Sequence, residues 1–142
     1  MSEQTTLILL KPDTVSNSRC GEVLRRFEDA GFKIRGLKMI QLDDALLEEH
    51  YAHIASRPFF PEVVEFMKKT PVVAVALSGE NVIDRVRALL GPTDSRKADK
   101  GTLRGDYGVD SMVNVAHASD SPDAADAELK RFFRAGEAFA RS

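Results

Sequence analysis

The sequence has a single cysteine, no tryptophan and little net charge. Cys20 is the only cysteine among the 142 residues, so an internal disulfide and a cysteine metal cluster are excluded, and a reduced compartment is indicated. A formal net charge of −2 lacks the positive charge expected of a protein whose main task is to hold nucleic acid, which argues against a nucleic-acid partner. Any anionic ligand must therefore meet cations that are placed locally.

Long hydrophobic runs are also missing. The longest, Leu7 to Leu10 and Val72 to Leu77, are far too short to span a bilayer. The N-terminus Met1-Ser2-Glu3-Gln4 lacks the basic start and apolar stretch of a signal peptide, so we expect a cytoplasmic protein with no membrane partner. With 43% hydrophobic and 30% charged residues, the 142 residues have the length and composition of one globular domain, and we predict a single domain over residues 1–142.

Several common motifs are absent or incomplete. Neither G-x-x-x-x-G-K-[ST] nor G-x-G-x-x-G occurs, so phosphates are not expected to bind in the Walker or Rossmann manner. His50 and His53 have the spacing of one helical face, but no third metal ligand lies nearby in the sequence. The segment 104–109 partly mimics an RNA-recognition signature, and Asp106 together with the negative net charge argues against that function.

Hydrophobic periodicity predicts strands that alternate with helices. Strands are predicted at Thr5 to Leu10, Phe32 to Leu42 and Val72 to Leu77, with a last buried strand that ends with Val113, Val115 and Ala116. Helices are predicted from Cys20 to a cap at Gly31, after Asp43 with Leu47, Tyr51 and Ile54 on one face, from Pro61 to Lys68, from Val82 to Gly91, and after Ser121. Residues 92–108 lack periodicity and are expected to form a long loop. Four strands interleaved with helices predict an α+β sandwich of the split βαβ type.

One histidine stands at the predicted end of the last strand, just before a helix start. Ser121 is the predicted N-cap and Pro122 the first helical residue, and backbone N–H groups at a helix start suit a bound anion. Imidazole can act as a neutral nucleophile near pH 7 and then carry a phosphoryl group, which makes His117 a candidate nucleophile. The alternative is a histidine satisfied within a loop. Glu128 on the following helix can reach the far nitrogen of His117 and fix its tautomer, or can lie on a solvated face.

Other residues at predicted strand ends and in loops have the chemistry that a nucleotide needs. Lys11, Arg87 and Arg104 can neutralise phosphates, and Thr93 can hydrogen-bond to them. Asn114 can meet a sugar hydroxyl or pair with the backbone, and Phe59 or Phe60 can present a ring for base stacking. The position of Tyr51 in the sequence is equally consistent with the hydrophobic core and with a ligand-binding site. Each residue alone has an ordinary structural alternative on a solvated surface, in a turn or in the core.

Taken together, these segments resemble the nucleoside diphosphate kinases in order and spacing. The resemblance covers about Thr5 to Phe133 and rests on the following motifs: Lys11-Pro12-Asp13, His50-Tyr51, Arg57-Pro58-Phe59-Phe60-Pro61, Gly101-Thr102-Leu103-Arg104-Gly105-Asp106 and His117-Ala118-Ser119-Asp120-Ser121. It implies a ferredoxin-like fold, in agreement with the predicted sandwich. It also implies transfer of the γ-phosphoryl group of ATP to His117 and then to any nucleoside diphosphate, with Mg²⁺ on the nucleotide phosphates and no metal ligands from the protein.

The resemblance implies roles for the candidate residues. His117 is the phosphorylated histidine, supported by the side chains Tyr51, Ser119 and Glu128. The nucleotide-binding residues it implies are Lys11, Tyr51, Phe59, Arg87, Thr93, Arg104 and Asn114.

The chain departs from the family pattern at a few positions. Ala118 stands where the family usually has glycine, and Ser111-Met112-Val113 replaces a more usual glycine and basic residue, although neither change removes a reacting group. The resemblance implies a homo-oligomer, a tetramer or a hexamer built from dimers. Ser95 occupies a place where many hexameric relatives have proline, and we therefore favour the tetramer. A catalytically idle relative that serves as a scaffold or regulatory partner is the alternative function.

Overall fold

A four-stranded antiparallel sheet with helices packed on it organises the chain, as described for residues 3–139 in a computed structural model. The strands are β1 (Glu3–Leu10), β2 (Lys33–Ile40), β3 (Val72–Glu80) and β4 (Ala116–Ala118), in the order β2-β3-β1-β4 across the sheet. The helices are α1 (Pro12–Ser16), α2 (Cys20–Asp29), α3 (Asp44–His50), α4 (Phe60–Lys68), α5 (Val82–Leu90), α6 (Leu103–Tyr107) and α7 (Pro122–Phe132). Two short 3₁₀ helices cover Ala52–Ile54 and Ser95–Lys97. The predicted α+β sandwich is confirmed.

The sheet separates two hydrophobic cores. Successive residues of a strand point to opposite faces, and in β1 the side chains of Ile8 and Leu10 join one core while those of Leu7 and Leu9 join the other. One core packs against α2 and α5, and the other against α3, α4 and α7. Because both faces of β1 are covered from Leu7 to Leu10, this part of the strand is continuously apolar and fully buried, and β4 pairs with it.

Met1 and Ser2, which begin the segment interpreted as lacking a signal peptide, lie outside the described residues. Over residues 3–139, no helix is both long enough and apolar enough to cross a membrane.

Local signals in the sequence predicted most helix boundaries. Asp43 caps α3 by accepting a hydrogen bond from the Leu46 amide at 2.8 Å, and Ser121 caps α7 through the Ala124 amide at 3.1 Å. Gly31, with φ of 94°, follows the end of α2 as expected. These predicted caps are confirmed.

The predicted helix after Asp43 was too long. It ends at His50, and Tyr51 and Ile54 lie beyond it in a turn and a 3₁₀ helix. His50 is consequently buried while His53 is exposed, so the two histidines do not share a helical face. The turn reorients the backbone after His50, which a helical repeat does not reveal.

The last strand and the long loop also differ from the prediction. β4 begins at Ala116 and includes His117, because a tight turn at Val115 redirects the chain before the strand. The expected loop 92–108 contains the 3₁₀ helix Ser95–Lys97 and α6. Thr102 caps α6 by accepting a hydrogen bond from the Gly105 amide at 3.0 Å. The helix has five residues, one of them glycine, and is too short to show helical periodicity in the sequence. A further short helix, α1, was not predicted after Pro12.

Helix α6 is held against α2 by a cluster of charged and aromatic side chains. Arg26 pairs with Asp106 at 3.0 Å, and its guanidinium lies 5.1 Å from the centre of the Tyr107 ring. The Tyr107 hydroxyl also donates a hydrogen bond to Glu22 at 3.2 Å. These contacts fix the position of α6, which carries Arg104.

We expect Gly91→Ala to lower the free energy of unfolding by roughly 1–3 kcal/mol, because the backbone conformation at this position is one that glycine alone adopts readily. Gly91 has φ of 86° and ψ of −177°, and an added Cβ would lie 2.9 Å from the Thr102 hydroxyl oxygen. Urea unfolding measures the change. The matched control is Gly21→Ala in α2, where an added Cβ meets nothing within 4 Å and helix propensity predicts a gain of about 0.5 kcal/mol. A free energy of unfolding for Gly91→Ala that equals or exceeds that of the unsubstituted protein would contradict this account.

Candidate active site

A cleft of about 690 Å³ opens beside β4. The predicted site residues that line it are Lys11, Tyr51, Phe59, Arg87, Thr93, Arg104, Asn114, His117 and Glu128. Ser119 is fully buried and lies behind the cleft wall, where it contacts Glu128. Residues that are more than one hundred positions apart in the sequence are thus brought to one place.

His117 projects from β4, where it pairs with Leu9 of β1. Its Nε2 lies 2.8 Å from Oε1 of Glu128, and the same oxygen accepts a hydrogen bond from the Ser119 hydroxyl at 2.7 Å. An ionised carboxylate only accepts hydrogen bonds, so Nε2 carries the proton and Nδ1 keeps its lone pair. Within residues 3–139, no group hydrogen-bonds to that Nδ1. The arrangement leaves one nitrogen free to act as a nucleophile.

The carboxyl group of Glu128 is held in its ionised form. Burial opposes ionisation, but hydrogen bonding and charge interaction with His117 and the hydrogen bond from Ser119 outweigh it and lower the pKa of Glu128 to about 2. The group is therefore an anion throughout the neutral range. A negative charge at this place stabilises positive charge that develops on the His117 ring.

Arg104 is a buried cation that is anchored to the backbone. Its guanidinium donates to the carbonyl oxygens of Gly91, Asn114 and Ala116 at 2.9, 3.0 and 2.7 Å. Burial, and then the charge of Arg87, lower the pKa of Arg104 to about 10, so the group stays protonated at neutral pH. Of the five N–H donors of an arginine, two remain available for a ligand oxygen.

Lys11 and Asn114 form a second buried polar unit. The Lys11 ammonium donates to the Met112 carbonyl oxygen at 2.6 Å and to Oδ1 of Asn114 at 2.8 Å, which leaves one N–H for a ligand. The Asn114 amide nitrogen donates to the carbonyl oxygens of Thr93 and Ser111 at 2.9 and 3.1 Å. Of the two interpretations of Asn114, the structure therefore shows the one with backbone pairing. Its side chain orients Lys11.

The outer part of the cleft is more open. Arg87 and Thr93 are exposed, and Phe59, at the start of α4, is 49% exposed with its ring at the cleft. Tyr51 lies deeper, where burial and then the negative charge of Glu128 raise the pKa of its phenol to about 12. The phenol remains protonated and can donate a hydrogen bond.

A strained turn positions these groups relative to one another. Val115 has φ of 80°, which is rare for a β-branched residue. The Ala116 amide donates to the Asn114 carbonyl oxygen at 3.0 Å and closes a γ-turn around Val115. The turn is held from outside by Asp13, which accepts from the Val115 amide at 3.0 Å, and by the Lys11 amide, which donates to the Val115 carbonyl oxygen at 3.0 Å.

Three residues at this site were not predicted from the sequence. Asp13 supports the γ-turn, His50 packs against the His117 ring, and Arg131 hydrogen-bonds to His50. The Lys11-Pro12-Asp13 motif contained Asp13 but gave no sign of its partner 102 positions away. His50 was weighed as a metal ligand and belongs to the His50-Tyr51 motif, but its contact with His117 was not predicted, and no role was predicted for Arg131.

Comparison with known proteins identifies the family. The nucleoside diphosphate kinase family model matches residues 4–138. A nucleoside diphosphate kinase from Streptomyces avermitilis is 50% identical over 92% of this chain and 96% of its own length. One from Parabacteroides distasonis is 45% identical over 96% of this chain and 89% of its own length.

Solved structures agree with this assignment. The nucleoside diphosphate kinase of Aquifex aeolicus superimposes with a TM-score of 0.92 at 42% identity, covering 97% of this chain and all of that chain. The halophilic enzyme from Halobacterium salinarum, solved in complex with CDP, superimposes with a TM-score of 0.95 at 36% identity, covering 99% of this chain and 94% of that chain. Sequence, fold and the histidine-centred cleft agree, and the chain belongs to the nucleoside diphosphate kinase family.

Proposed function

We propose that this chain transfers the γ-phosphoryl group of a nucleoside triphosphate, mainly ATP, to nucleoside diphosphates through a phosphohistidine at His117, and so maintains nucleoside triphosphate pools. Phosphoryl transfer between nucleotides follows from membership of the family. The choice of His117 rests on one observation, which is the hydrogen bond from its Nε2 to Glu128 that leaves Nδ1 with a lone pair in the cleft.

The chemistry divides into two half-reactions with one site. The Nδ1 lone pair of His117 attacks the γ-phosphorus, the bond from phosphorus to the bridging oxygen breaks, and the electron pair leaves on the β-phosphate of the diphosphate. Positive charge on the ring is stabilised through Nε2–H by Glu128. A second nucleoside diphosphate then attacks the phosphorus with its terminal oxygen, and the electron pair of the N–P bond returns to Nδ1. Donor and acceptor differ only by the transferred group, so one site serves both steps.

Charge on the transferred phosphoryl group requires nearby cations. Arg104, Arg87 and Lys11 are the cations we assign to the phosphates, with Arg104 and Lys11 preorganised by the backbone. Thr93, exposed at the cleft, would add a hydroxyl donor, and Tyr51 a phenol that stays protonated. Ser119 would help by orienting Glu128.

The proposed metal cofactor is Mg²⁺ bound by the nucleotide phosphates. Among the described residues, one group of potential ligands lies close together, namely His50, His117 and Glu128. Mg²⁺ prefers oxygen ligands, and this group offers two imidazoles and a carboxylate oxygen that already accepts two hydrogen bonds, so it does not fit the ion. Mg²⁺ on the substrate phosphates would neutralise part of their charge.

The site would bind the nucleotide base without distinguishing one base from another. Phe59 offers a half-exposed ring at the mouth of the cleft, and stacking on a ring face tolerates any base. The related halophilic enzyme was solved with a pyrimidine nucleotide, CDP. We therefore propose broad acceptance of nucleoside diphosphates.

A catalytically idle scaffold is the less favoured alternative. All the reacting and charged groups named above are present in the sequence, and nine of the side chains line one cleft. We further propose a cytoplasmic location, which the single unpaired cysteine supports.

Incubation with γ-³²P-labelled ATP should label the protein with an acid-labile, base-stable phosphohistidine, and added GDP should remove the label as GTP. His117→Ala should abolish labelling and lower turnover by at least about a thousandfold, because no second nucleophile is at hand. His53→Ala removes an exposed histidine and serves as the control that keeps the label. Label that persists in His117→Ala would reject the proposed mechanism.

The pH dependence should reveal the Lys11 ammonium. Burial lowers the pKa of Lys11 to about 8, the charge of Asp13 opposes this and the charge of Arg104 adds to it. The group is charged below that pH and neutral above it, so phosphate binding weakens as pH rises, and kcat/KM should fall up to about tenfold per unit above pH 8. Lys11→Arg should remove this fall, whereas Lys33→Arg, a change at an exposed lysine, should leave it unchanged. An identical fall in Lys11→Arg would contradict the assignment.

We propose that the protein is a homo-oligomer built from dimers, with a tetramer favoured over a hexamer. The structural support is β2, which lies at the sheet edge and exposes Leu37 and Met39 by 51% and 58%. Unpaired edge strands with apolar side chains are suited to pairing with a second copy. Light scattering coupled to size exclusion at micromolar protein should give the mass of four subunits. Six subunits would reject the tetramer, and a stable monomer would reject oligomerisation.

A further inference from the structure

His50 is a buried imidazole whose protonation is set by a neighbour that can only donate. Its Nδ1 lies 2.9 Å from Nη1 of Arg131, and the Arg131 guanidinium is itself anchored by Glu49 at 2.8 Å. Arginine has no acceptor, so Nδ1 of His50 must carry the lone pair, and the proton of the neutral ring is on Nε2. Burial, and then His117, lower the pKa of His50 to about 3, so the ring stays neutral near pH 7.

This tautomer excludes two roles for His50. A metal ion at Nε2 would require that nitrogen to lose its proton while Nδ1 still accepts from Arg131, which an ordinary neutral imidazole cannot do. A ring that does not protonate near neutral pH is also unsuited to shuttle protons. The remaining role for His50 is structural and depends on the shape of its ring and on the contacts that the ring makes.

The His50 ring packs edge-to-face against the His117 ring, with centroids 4.6 Å apart and planes at 83°. Phe132 and Tyr51 pack on His50 in the same manner, at 5.0 and 4.8 Å. Together with the bond from Arg131 to Nδ1, these contacts restrict rotation of the His50 ring. The candidate nucleophile is therefore restrained twice, at Nε2 by Glu128 from α7 and on its ring by His50 from α3.

We propose that His50 is a positioning residue that determines which nitrogen of His117 is phosphorylated. The inference rests on the proposed phosphohistidine. By restricting rotation of the His117 ring, His50 keeps Nε2 on Glu128 and Nδ1 toward the substrate. Without the His50 ring, the His117 ring samples orientations in which Nε2 leaves Glu128 and faces the γ-phosphate. Phosphorylation then yields the Nε2 isomer beside the Nδ1 isomer.

The test compares phosphohistidine isomers formed by the full-length chain. His50→Asn keeps an acceptor for Arg131, because the Asn amide oxygen sits at the position of Nδ1, but it removes the ring. Protein is labelled with γ-³²P-ATP, quenched in alkali at early times and digested, and the two phosphohistidine isomers are separated by chromatography. We expect the Nε2 share to rise by about twofold to tenfold over the wild type, because this factor corresponds to the interaction free energy of one edge-to-face ring pair.

Two further variants separate positioning from general damage. His50→Phe keeps a ring in place and should retain the isomer composition of the wild type. His53→Asn makes the same chemical change at an exposed histidine of the neighbouring 3₁₀ helix and should also leave the composition unaltered. Circular dichroism establishes that each variant is folded, and His50→Gln replaces His50→Asn should the latter not fold.

The outcomes are distinct. An unchanged isomer composition in His50→Asn overturns the inference. Slower phosphorylation that still yields only the Nδ1 isomer also overturns it, because that result indicates a generally loosened site and no control over which nitrogen reacts. A wild type that forms no phosphohistidine at all overturns the proposed function and this inference with it. The positioning role is supported when the Nε2 share rises in His50→Asn and stays at the wild-type level in His50→Phe.

Discussion

The γ-turn at Val115 is the constraint on which the site depends. Arg104 binds the carbonyl oxygens on both sides of it, those of Asn114 and Ala116, and the Lys11 backbone binds the carbonyl in between. A valine at φ of 80° is unfavourable by itself, and strained residues of this kind persist only where the surroundings over-determine them. Here the strain is offset by hydrogen bonds, and these bonds fix Arg104, Lys11 and β4 to one short piece of backbone.

The His117 side chain is also held in place by its neighbours. The His117 ring is held from two sides, at Nε2 by Glu128 from α7 and on its ring by His50 from α3, while Nδ1 remains without a hydrogen-bond partner among the described residues. Groups held in place before the substrate arrives need no reorganisation during the reaction, which is how preorganised sites stabilise a transition state. By contrast Phe59, Arg87 and Thr93 are exposed at the mouth of the cleft, where the proposed function requires nucleotides of different bases to enter and leave.

Much of the fold could be predicted from local pattern. The strand β1, the helix α5 and the caps Asp43, Gly31 and Ser121 all follow from periodicity and backbone chemistry that act over a few residues. The errors occurred where long-range contacts override such preferences. Val113 and Val115 are β-prone, yet Asp13 and Lys11 turn the chain at Val115, so β4 begins one residue later and contains His117. Likewise α6 has only five residues, and the ion pair with Arg26 that anchors it cannot be read from its own sequence.

By itself the sequence determined the class of fold, the family resemblance and the types of side chain at the site, because periodicity, caps and motif order are all encoded locally. Only the tertiary structure decided how those side chains are used. It assigned the Asn114 amide to the backbone and to Lys11, placed the proton of His117 on the nitrogen that faces Glu128, and set His50 against the His117 ring. Such assignments depend on which donor faces which acceptor across the sheet, and that information arises only when distant segments pack together.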